Sequence, residues 1–428
     1  MSLEPNSYNN GWQFWIDRGG TFTDLVARNP DGKILTHKIL SENPEHYSDA
    51  ALQGIRDLLE LDPTEPIPSG SINVIRMGTT VGTNALLERS GEPTVLAITK
   101  GFADALRIGY QERPNIFDHH IQLPELLYEK VIEINERKTA GGKVLTVPDN
   151  EIVKIQLSKI FDLGIRSVAI VLMHGYRYPS HENIVAKIAK DVGFTQISTS
   201  NQVSPLMKLI SRGDTTVVDA YISPILRRYI DGILEELSRV KKKTPRLQFM
   251  QSNGGLTDEN LFQGKNSILS GPAGGVVGMA CTASKGGFKK VIGFDMGGTS
   301  TDVSHFNGEF ERTFETTVAG IRICSPMMRI HTVAAGGGSI IRFSGQRFRV
   351  GPDSAGADPG PACYRRGGPL TITDCNLVVG KIQAEHFPHI FGPNANEPLD
   401  EKEIQKKFSD LATQISPDAP DKPEDVAE

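Results

Sequence analysis

The feature that most restricts how this chain can fold is an eight-residue motif that occurs twice. Residues 17–24 are DRGGTFTD and residues 295–302 are DMGGTSTD, so six of the eight positions are identical. Each copy follows an apolar run and precedes a second apolar run that ends at Asp31-Gly32 or Asn307-Gly308. The pattern predicts a strand, a glycine bend, a strand, a tight Asx-Gly turn and a third strand in both copies. We therefore expect two related halves.

The residue types kept in the repeat indicate phosphate binding. Glycines at a bend have no Cβ, so backbone N–H groups can approach an anion, and threonine hydroxyls add further donors. Hairpin chemistry alone explains Asp and Gly at a bend, but it does not require Thr at two fixed offsets and Asp at both ends. The predicted phosphate-binding residues are Gly19, Gly20, Thr21, Thr23, Asp24, Gly297, Gly298, Thr299, Thr301 and Asp302.

The aspartates that open the two copies are the predicted catalytic and metal-binding residues. Asp17 and Asp295 each end an apolar strand directly before the glycines. A carboxylate at that position can hold a hydrated Mg²⁺ beside a phosphate, since Mg²⁺ is bound through one or two carboxylates together with phosphate oxygens. We expect both residues to act at one site.

Four other residues are candidates for substrate binding. Thr79, Thr80 and Asn84 lie where a Gly/Thr-rich segment opens a helix. Helix N-termini attract anions, and an ordinary N-cap is the alternative explanation. Arg113 lies in a proline-bearing loop, where it could pair with a substrate carboxylate.

Composition excludes several classes of protein. With 428 residues, 38% hydrophobic and 23% charged, the chain can form two or three globular domains. A net charge of −5 provides no attraction for nucleic acid, and no run of about 18 apolar residues predicts a membrane span. The four cysteines show no metal-ligand spacing, which favours buried reduced thiols and a cytoplasmic protein.

Alternating strand and helix patterns predict an α/β fold. Residues 12–287 are expected to form a first lobe, with an α/β insertion at about 71–200, and residues 288–428 to begin a second lobe. Pro224 lies inside a long helical pattern, so that helix should kink or restart there. A proline-marked helix start near Asp421 suggests a fragment of a longer protein.

The paired DxGGT hairpins resemble the phosphate-1 and phosphate-2 loops of the actin/Hsp70/sugar-kinase superfamily. In that superfamily ATP lies between two lobes, and each loop grips its phosphates. The resemblance implies an actin-like ATPase (ribonuclease H-like) lobe with an inserted α/β subdomain, followed by the beginning of a second similar lobe. It also implies ATP and Mg²⁺ as cofactors.

Longer motifs resemble the hydantoinase A/oxoprolinase family. They are residues 16–24, 77–89, 270–275 and 354–364. This resemblance spans nearly the whole chain and implies ATP-dependent hydrolysis of a cyclic amide by phosphoryl activation of the lactam carbonyl. Residues 41–44 and 126–133 are most similar to members that open 5-oxo-L-proline to L-glutamate, which is the expected reaction. The resemblance also implies a site role for Asp358.

The same resemblance implies partners and leaves alternatives. The family pairs this module with a hydantoinase B-type module, fused or as a separate subunit, so the chain alone is expected to be inactive; we also expect a homo-oligomer. Gly82 stands where the family commonly has Ala, and the family's downstream adenosine loop is absent from the sequence. The alternatives are a nucleotide-binding subunit of an N-methylhydantoinase or ATP-dependent ketone carboxylase, a small-molecule kinase, and an actin-like or Hsp70-like ATPase.

Overall fold

The first copy of the motif lies in the largest sheet of the protein. The computed structural model describes residues 11–62, 65–111, 117, 119–120, 123, 125–239 and 244–428. Strands before residue 260 are β1 Trp12–Arg18, β2 Phe22–Arg28, β3 Ile34–Leu40, β4 Ile72–Thr79, β5 Thr94–Thr99, β6 Lys130–Ile134, β7 Arg137–Lys138, β8 Val144–Thr146, β9 Ser167–Val171, β10 Gln196–Thr199, β11 Arg246–Met250 and β12 Leu256–Asp258.

Shorter strands dominate the rest of the chain, and helices occur throughout. The later strands are β13 Lys290–Met296, β14 Thr301–Asn307, β15 Arg312–Thr313, β16 Thr316–Val318, β17 Ile321–Ile323, β18 Met327–Met328, β19 Ile330–Val333, β20 Ser339–Phe343 and β21 Phe348–Ser354. The helices are α1 Ala50–Leu58, α2 Val81–Leu87, α3 Ala105–Ile108, α4 Asn150–Asp162, α5 Ser180–Val192, α6 Ser200–Val203, α7 Leu209–Ser238, α8 Gly264–Ser267, α9 Ser270–Lys285, α10 Ile372–Val378, α11 Glu401–Ile415 and α12 Pro423–Ala427.

The six-stranded sheet has β1 at its interior. Its order is β12-β11-β4-β1-β2-β3, with β1 antiparallel to β2 and parallel to β4. Residues 19–21, here called the first bend, connect β1 to β2, and the turn at Asp31-Gly32 connects β2 to β3. The predicted run of three strands and two turns is therefore confirmed in the first copy.

The second copy repeats the hairpin register of the first. Asp17 faces Asp24 across β1 and β2, and Asp295 faces Asp302 across β13 and β14. Residues 297–300, here called the second bend, connect these strands. Equivalent side chains of the two motifs therefore occupy equivalent places on their hairpins.

The prediction that a third strand directly follows Asn307-Gly308 in the second copy is wrong. No strand directly after Asn307-Gly308 joins this hairpin, and the strand that pairs with β14 is β19, Ile330–Val333. Phe310 instead bridges back to Phe306, with ring centroids 5.5 Å apart. This aromatic contact turns the chain away from the sheet, and two small hairpins, β15–β18 and β16–β17, precede β19.

The two halves differ in how deeply they bury the strand that precedes the glycine bend. Phe14 and Ile16 on β1 are 0% and 3% exposed, whereas Ile292 and Phe294 at the same hairpin positions of β13 are 72% and 70% exposed. In the described part of the chain β13 pairs with β14 alone. The second sheet thus leaves an apolar face and an edge open to solvent.

A separate four-stranded sheet lies within the predicted insertion. Its order is β10-β9-β5-β6 and every pair is parallel, with α4 and α5 packed on it. The predicted parallel α/β layering is confirmed. This sheet begins at Thr94, because β4, which lies within the predicted insertion, belongs to the six-stranded sheet.

The long helix α7 runs through its proline without restarting. Pro224 has no N–H to donate to the carbonyl of Ala220, and that oxygen accepts a hydrogen bond from Ser167 Oγ at 2.6 Å. The neighbouring carbonyl of Tyr221 accepts from the backbone N–H of Glu92 at 3.0 Å. These outside donors satisfy the freed carbonyls. The helix does not restart at Pro224, and the alternative, a kink there, stays a prediction.

The cysteines are unpaired, as expected, but not all are buried. Cys324 and Cys363 are buried, whereas Cys281 is exposed on α9. Burial raises the pKa of the Cys363 thiol well above its usual range, which keeps it protonated. Within the described residues no helix has both the length and the apolar character needed to cross a bilayer.

Candidate active site between the two glycine bends

The first and second bends face each other in direct contact. A Cβ built on Gly298 would lie 2.2 Å from Thr21 Oγ1, and one built on Gly20 would lie 3.7 Å from Thr299 Oγ1. The missing side chain at Gly298 is therefore what lets the bends approach so closely. Two loops that are far apart in sequence form one site.

Thr21 presents an unsatisfied hydroxyl at this contact. The residue is 5% exposed, and its Oγ1 is buried without a hydrogen-bond partner. Buried hydroxyls nearly always find a partner, so an orphan beside two glycine bends is a position that a bound group would satisfy. A phosphate oxygen fits, because a hydroxyl can donate to it and glycine backbones let it come close.

Asp17 sits in a narrow slot walled by glycines. A Cβ on Gly78 or on Gly271 would lie 3.1 Å from Asp17 Oδ1. Gly271 is in the first turn of the 16-residue helix α9, whose N-terminus carries free N–H groups and a partial positive charge. Ser270 Oγ donates to the carbonyl of Thr79 at 2.7 Å and accepts from its N–H at 3.1 Å, which ties α9 to the end of β4.

Carboxylates of both halves influence one another electrostatically. The surrounding protein raises the pKa of Asp17, although the residue remains accessible to solvent, and the negative charges of Asp24 and Asp295 raise it further while Lys38 opposes them. Burial and Asp295 also raise the pKa of Asp302, against the hydrogen bond from Thr332. Negative charge from the two hairpins is thus concentrated in one region.

That donor set suits a magnesium ion carried with a nucleotide. Among the described residues no three His, Cys, Asp or Glu side chains are grouped to hold a metal by themselves. Mg²⁺ keeps several waters and commonly binds through one or two carboxylates plus substrate phosphates. Asp17 and Asp295, on opposite sides of the contact, fit that mode better than a cage made of protein alone.

Several predicted phosphate ligands are occupied by protein partners. Thr23 Oγ1 hydrogen-bonds Ser41 Oγ at 2.9 Å, and Thr301 Oγ1 donates to the carbonyl of Ala335 at 2.6 Å. Asp24 accepts from Lys38 Nζ at 2.6 Å. Asp302 accepts from Thr332 at 2.6 Å. Thr299, by contrast, is exposed at the contact.

The second bend is also held by a loop that the motif does not contain. The N–H groups of Gly337 and Gly338 donate to the carbonyls of Gly297 and Gly298 at 2.9 and 2.6 Å. Sequence reasoning assigned no role to these glycines or to Ser41 and Ser270. The glycine run 336–338 was the available signal, and for the two serines the signal was their place at the start of the motifs 41–44 and 270–275, which by themselves indicate no role.

The predicted substrate residues are placed as follows. Thr80 Oγ1 donates to the carbonyl of Arg18 at 3.2 Å, Thr79 Oγ1 accepts from the N–H of Val81 at 3.2 Å, and Asn84 is half-buried one turn further along α2. They adjoin the first bend. Asp358 is exposed and lies 4.0 Å from Arg366. Arg113 lies outside the described residues, and the roles of all five stay predictions.

A cavity lies elsewhere, away from the bends. It has a volume of about 460 Å³ and is lined by α3, the start of α7 and β17, including Tyr110, Val217 and Arg322. No residue of either bend lines it.

Protonation of Asp17 provides a test of this electrostatic arrangement. Because its pKa is raised, Asp17 becomes protonated at a higher pH than an ordinary aspartate as the pH falls. Asp24→Asn removes a nearby negative charge, so the pKa of Asp17 falls and the acid limb of kcat/KM for ATP should move to lower pH. The measurement is the pH profile of the complete enzyme. An acid limb that stays in place or moves to higher pH would contradict the assignment.

Two family models together match most of the chain. The family described as Hydantoinase/oxoprolinase N-terminal region matches residues 13–193, and Hydantoinase/oxoprolinase matches residues 212–428. The fold and the site define a two-part α/β protein with paired glycine bends. The chain belongs to the hydantoinase/oxoprolinase family, as its motifs predict.

Similar proteins of known name and structure agree with this membership. 5-Oxoprolinase 1 of Arabidopsis thaliana is 47% identical in an alignment 433 positions long, which covers 94% of this chain and 34% of that protein. The ATP-dependent caprolactamase from Pseudomonas jessenii, whose crystal structure is known, is 30% identical in sequence to this chain. Its fold superposes with a TM-score of 0.71, and the match covers 97% of this chain and 60% of that one. The nucleotide-free structure of acetone carboxylase, at 23% identity and a TM-score of 0.74 over the same shares, shows the fold alone.

These comparisons confirm the predicted α/β class. The chain spans about a third of the length of the Arabidopsis relative.

Proposed function

We propose that this chain is the ATP-binding part of an enzyme that hydrolyses a cyclic amide, with 5-oxo-L-proline as substrate and L-glutamate as product. The observation that carries the proposal is the contact of Gly298 with Thr21, which joins two copies of one phosphate-binding motif. The 47% identity to a 5-oxoprolinase supports the choice of substrate.

The chemistry explains why such an enzyme needs ATP. An unstrained five-membered lactam is a poor electrophile. Transfer of the terminal phosphoryl group of ATP to the carbonyl oxygen, with release of ADP, would make the carbonyl carbon open to attack by water. The chain's task is then to position the terminal phosphate and to neutralise charge that develops during transfer. Preorganised N–H groups and hydroxyls do this at least cost, because they need not reorganise during the reaction.

Each bend contributes the same kind of group. We assign phosphate contacts to the N–H groups of Gly20 and Gly298 and to the hydroxyls of Thr21 and Thr299, which lie at the contact between the bends. The other four polar side chains of the motifs are hydrogen-bonded to protein groups, so we assign them to supporting the bends and not to contacting phosphate; they are Thr23, Thr301, Asp24 and Asp302. This division of roles refines the predicted set of phosphate ligands.

Asp17 and Asp295 are the proposed holders of Mg²⁺. These two carboxylates would hold the ion, whose positive charge would offset the negative charges of Asp24 and Asp295, which together with burial raise the pKa of Asp17, and would neutralise charge on the phosphates. The slot formed by Gly78 and Gly271 fixes the Asp17 carboxylate. The N-terminus of α9 adds a favourable dipole beside it.

The complete enzyme is proposed to contain more protein than this chain. The relative from Arabidopsis is about three times as long, and Ile292 and Phe294 lie exposed where the first half buries its equivalents. Apolar side chains at matched strand positions are expected to be covered. A hydantoinase B-type module, fused or separate, is the proposed partner for turnover, and the free thiols favour a cytoplasmic location.

A substrate panel tests the proposal directly. We expect the complete enzyme to release ADP in response to 5-oxo-L-proline and to form glutamate in equal amount. Hydantoins and small ketones are the comparison substrates, and a response to either one instead would assign the chain to an N-methylhydantoinase or a ketone carboxylase. Release of a stable phosphorylated product would indicate a kinase, and ADP release that no substrate stimulates would indicate an actin-like or Hsp70-like ATPase.

A further inference from the structure

Ser41 makes two hydrogen bonds to the first bend and a third to Thr23 on β2. It directly follows β3 and is 5% exposed. Its Oγ donates to the carbonyl of Gly19 at 2.7 Å and also contacts Thr23 Oγ1 at 2.9 Å, while its N–H donates to the carbonyl of Thr21 at 2.9 Å. No other residue outside the motif is described with this many bonds to the first bend.

The directions of these hydrogen bonds follow from proton counting. A serine hydroxyl has one proton, and Ser41 gives it to the Gly19 carbonyl. The proton between the two hydroxyls must therefore come from Thr23. The result is a relay from Thr23 through Ser41 to Gly19, in which each bond polarises the next.

This relay sets the orientation of one peptide group. The peptide bond between Gly19 and Gly20 is planar, and in the trans form its C=O and N–H point in opposite directions. Because Ser41 holds the carbonyl of Gly19 on the inner side of the bend, the N–H of Gly20 is turned to the other side, where Gly20 is exposed opposite Thr299. Glycine has unusual rotational freedom, so this peptide needs such a restraint.

In the second bend a backbone group restrains the equivalent peptide. There the equivalent carbonyl, that of Gly297, accepts from the backbone N–H of Gly337 at 2.9 Å. The restraint is a main-chain group in one half and a side chain in the other. Ser41 is therefore the member of this pair that a point substitution can remove.

We propose that Ser41 is a positioning residue for phosphate binding, orienting the N–H of Gly20 toward the nucleotide. The proposal rests on the proposed function, since it assumes that the first bend binds phosphate. It assigns to the 41–44 turn a part in nucleotide binding, although the side chain of Ser41 faces away from the contact between the bends.

The test compares nucleotides with and without phosphates on the complete enzyme. Ser41→Ala is expected to weaken MgADP binding by about tenfold, as a misdirected donor to a charged group would, and to leave adenosine binding within twofold of wild type. Calorimetric titration measures both. Ser167→Ala is the matched control, because it also removes a buried hydroxyl that donates to a backbone carbonyl, at 2.6 Å, in the insertion; its MgADP affinity should equal that of wild type.

The outcomes separate this proposal from the proposed function. An unchanged MgADP affinity in Ser41→Ala, or an equal loss for MgADP and adenosine, overturns the positioning role. If Ser41→Ala does not fold, Thr23→Val replaces it, with an expected loss of about threefold for MgADP alone and no loss as the contradicting result. Wild-type enzyme that binds MgADP but does not open 5-oxo-L-proline would refute the proposed substrate and leave the role of Ser41 standing.

Discussion

Asp17→Asn in the complete enzyme is expected to lower ATP-dependent ring opening on the order of 100-fold or more, the usual loss when a preorganised charge-stabilising group is removed. The substitution keeps the size of the side chain, which matters in a slot where Gly78 and Gly271 approach Asp17 Oδ1 so closely. It removes the negative charge that the proposed Mg²⁺ requires. The measurement is kcat/KM for ATP from ADP release.

A surface aspartate provides the control for this substitution. Asp410 is exposed on α11, so Asp410→Asn should leave activity unchanged. Activity of Asp17→Asn within about tenfold of wild type, a difference of only ~1.4 kcal/mol, would show that Asp17 is not a metal-binding or catalytic residue. Addition of excess Mg²⁺ should recover part of the loss, because weaker ion binding is the expected defect.

Gly298→Ala is expected to reduce activity about as strongly, by a steric route. The new Cβ would overlap Thr21 Oγ1, since the two would lie 2.2 Å apart. Because both atoms belong to short, restricted groups, the bends would have to separate, and a misplacement of about 1 Å can cost on the order of 100-fold in rate. We expect kcat to fall with little change in thermal stability.

The matched control is a glycine whose Cβ meets nothing. Gly275 lies in α9 and has no neighbouring atom within 4 Å of a built Cβ. Gly275→Ala should keep full activity and gain stability of up to about 1 kcal/mol from helix propensity. Equal losses in Gly298→Ala and Gly275→Ala would indicate general damage to the fold, and full activity in Gly298→Ala would exclude close approach of the bends during turnover.

The hairpin of each motif could be predicted because the information is local. Alternating apolar residues, two glycines and an Asx-Gly turn specify a strand-bend-strand unit wherever they occur. The register, in which Asp17 faces Asp24 and Asp295 faces Asp302, is seen only in the structure. The parallel insertion followed from strands separated by helical patterns, as at β5, α4 and β9.

Other features depend on contacts that no local pattern records. The continuity of α7 through Pro224 requires Ser167 and Glu92, which are distant in sequence, to supply donors. The third strand of the second sheet is displaced to β19 because Phe310 packs on Phe306. Ser41 opens the 41–44 turn noted in the sequence, but its contact with Gly19 becomes evident only in the fold.

The division of the predicted phosphate ligands shows the same limit. All ten carry suitable chemistry, but Thr23 and Thr301 are turned into the protein, while Thr21 and Thr299 lie at the contact. Their offset within the motif is identical in the two halves. The bonds of Thr23 to Ser41 and of Thr301 to Ala335, each within one half, and the approach of the two bends distinguish the residues available to a ligand from those that support the bends.

The most direct test of the account is a structure of the complete enzyme with Mg²⁺ and a non-hydrolysable ATP analogue. The account predicts that phosphate oxygens lie within hydrogen-bonding distance of both the N–H of Gly20 and the N–H of Gly298, with Mg²⁺ near Asp17 or Asp295. A nucleotide whose phosphates contact only one bend, or neither, would contradict the claim that the repeated motifs form a single phosphate site.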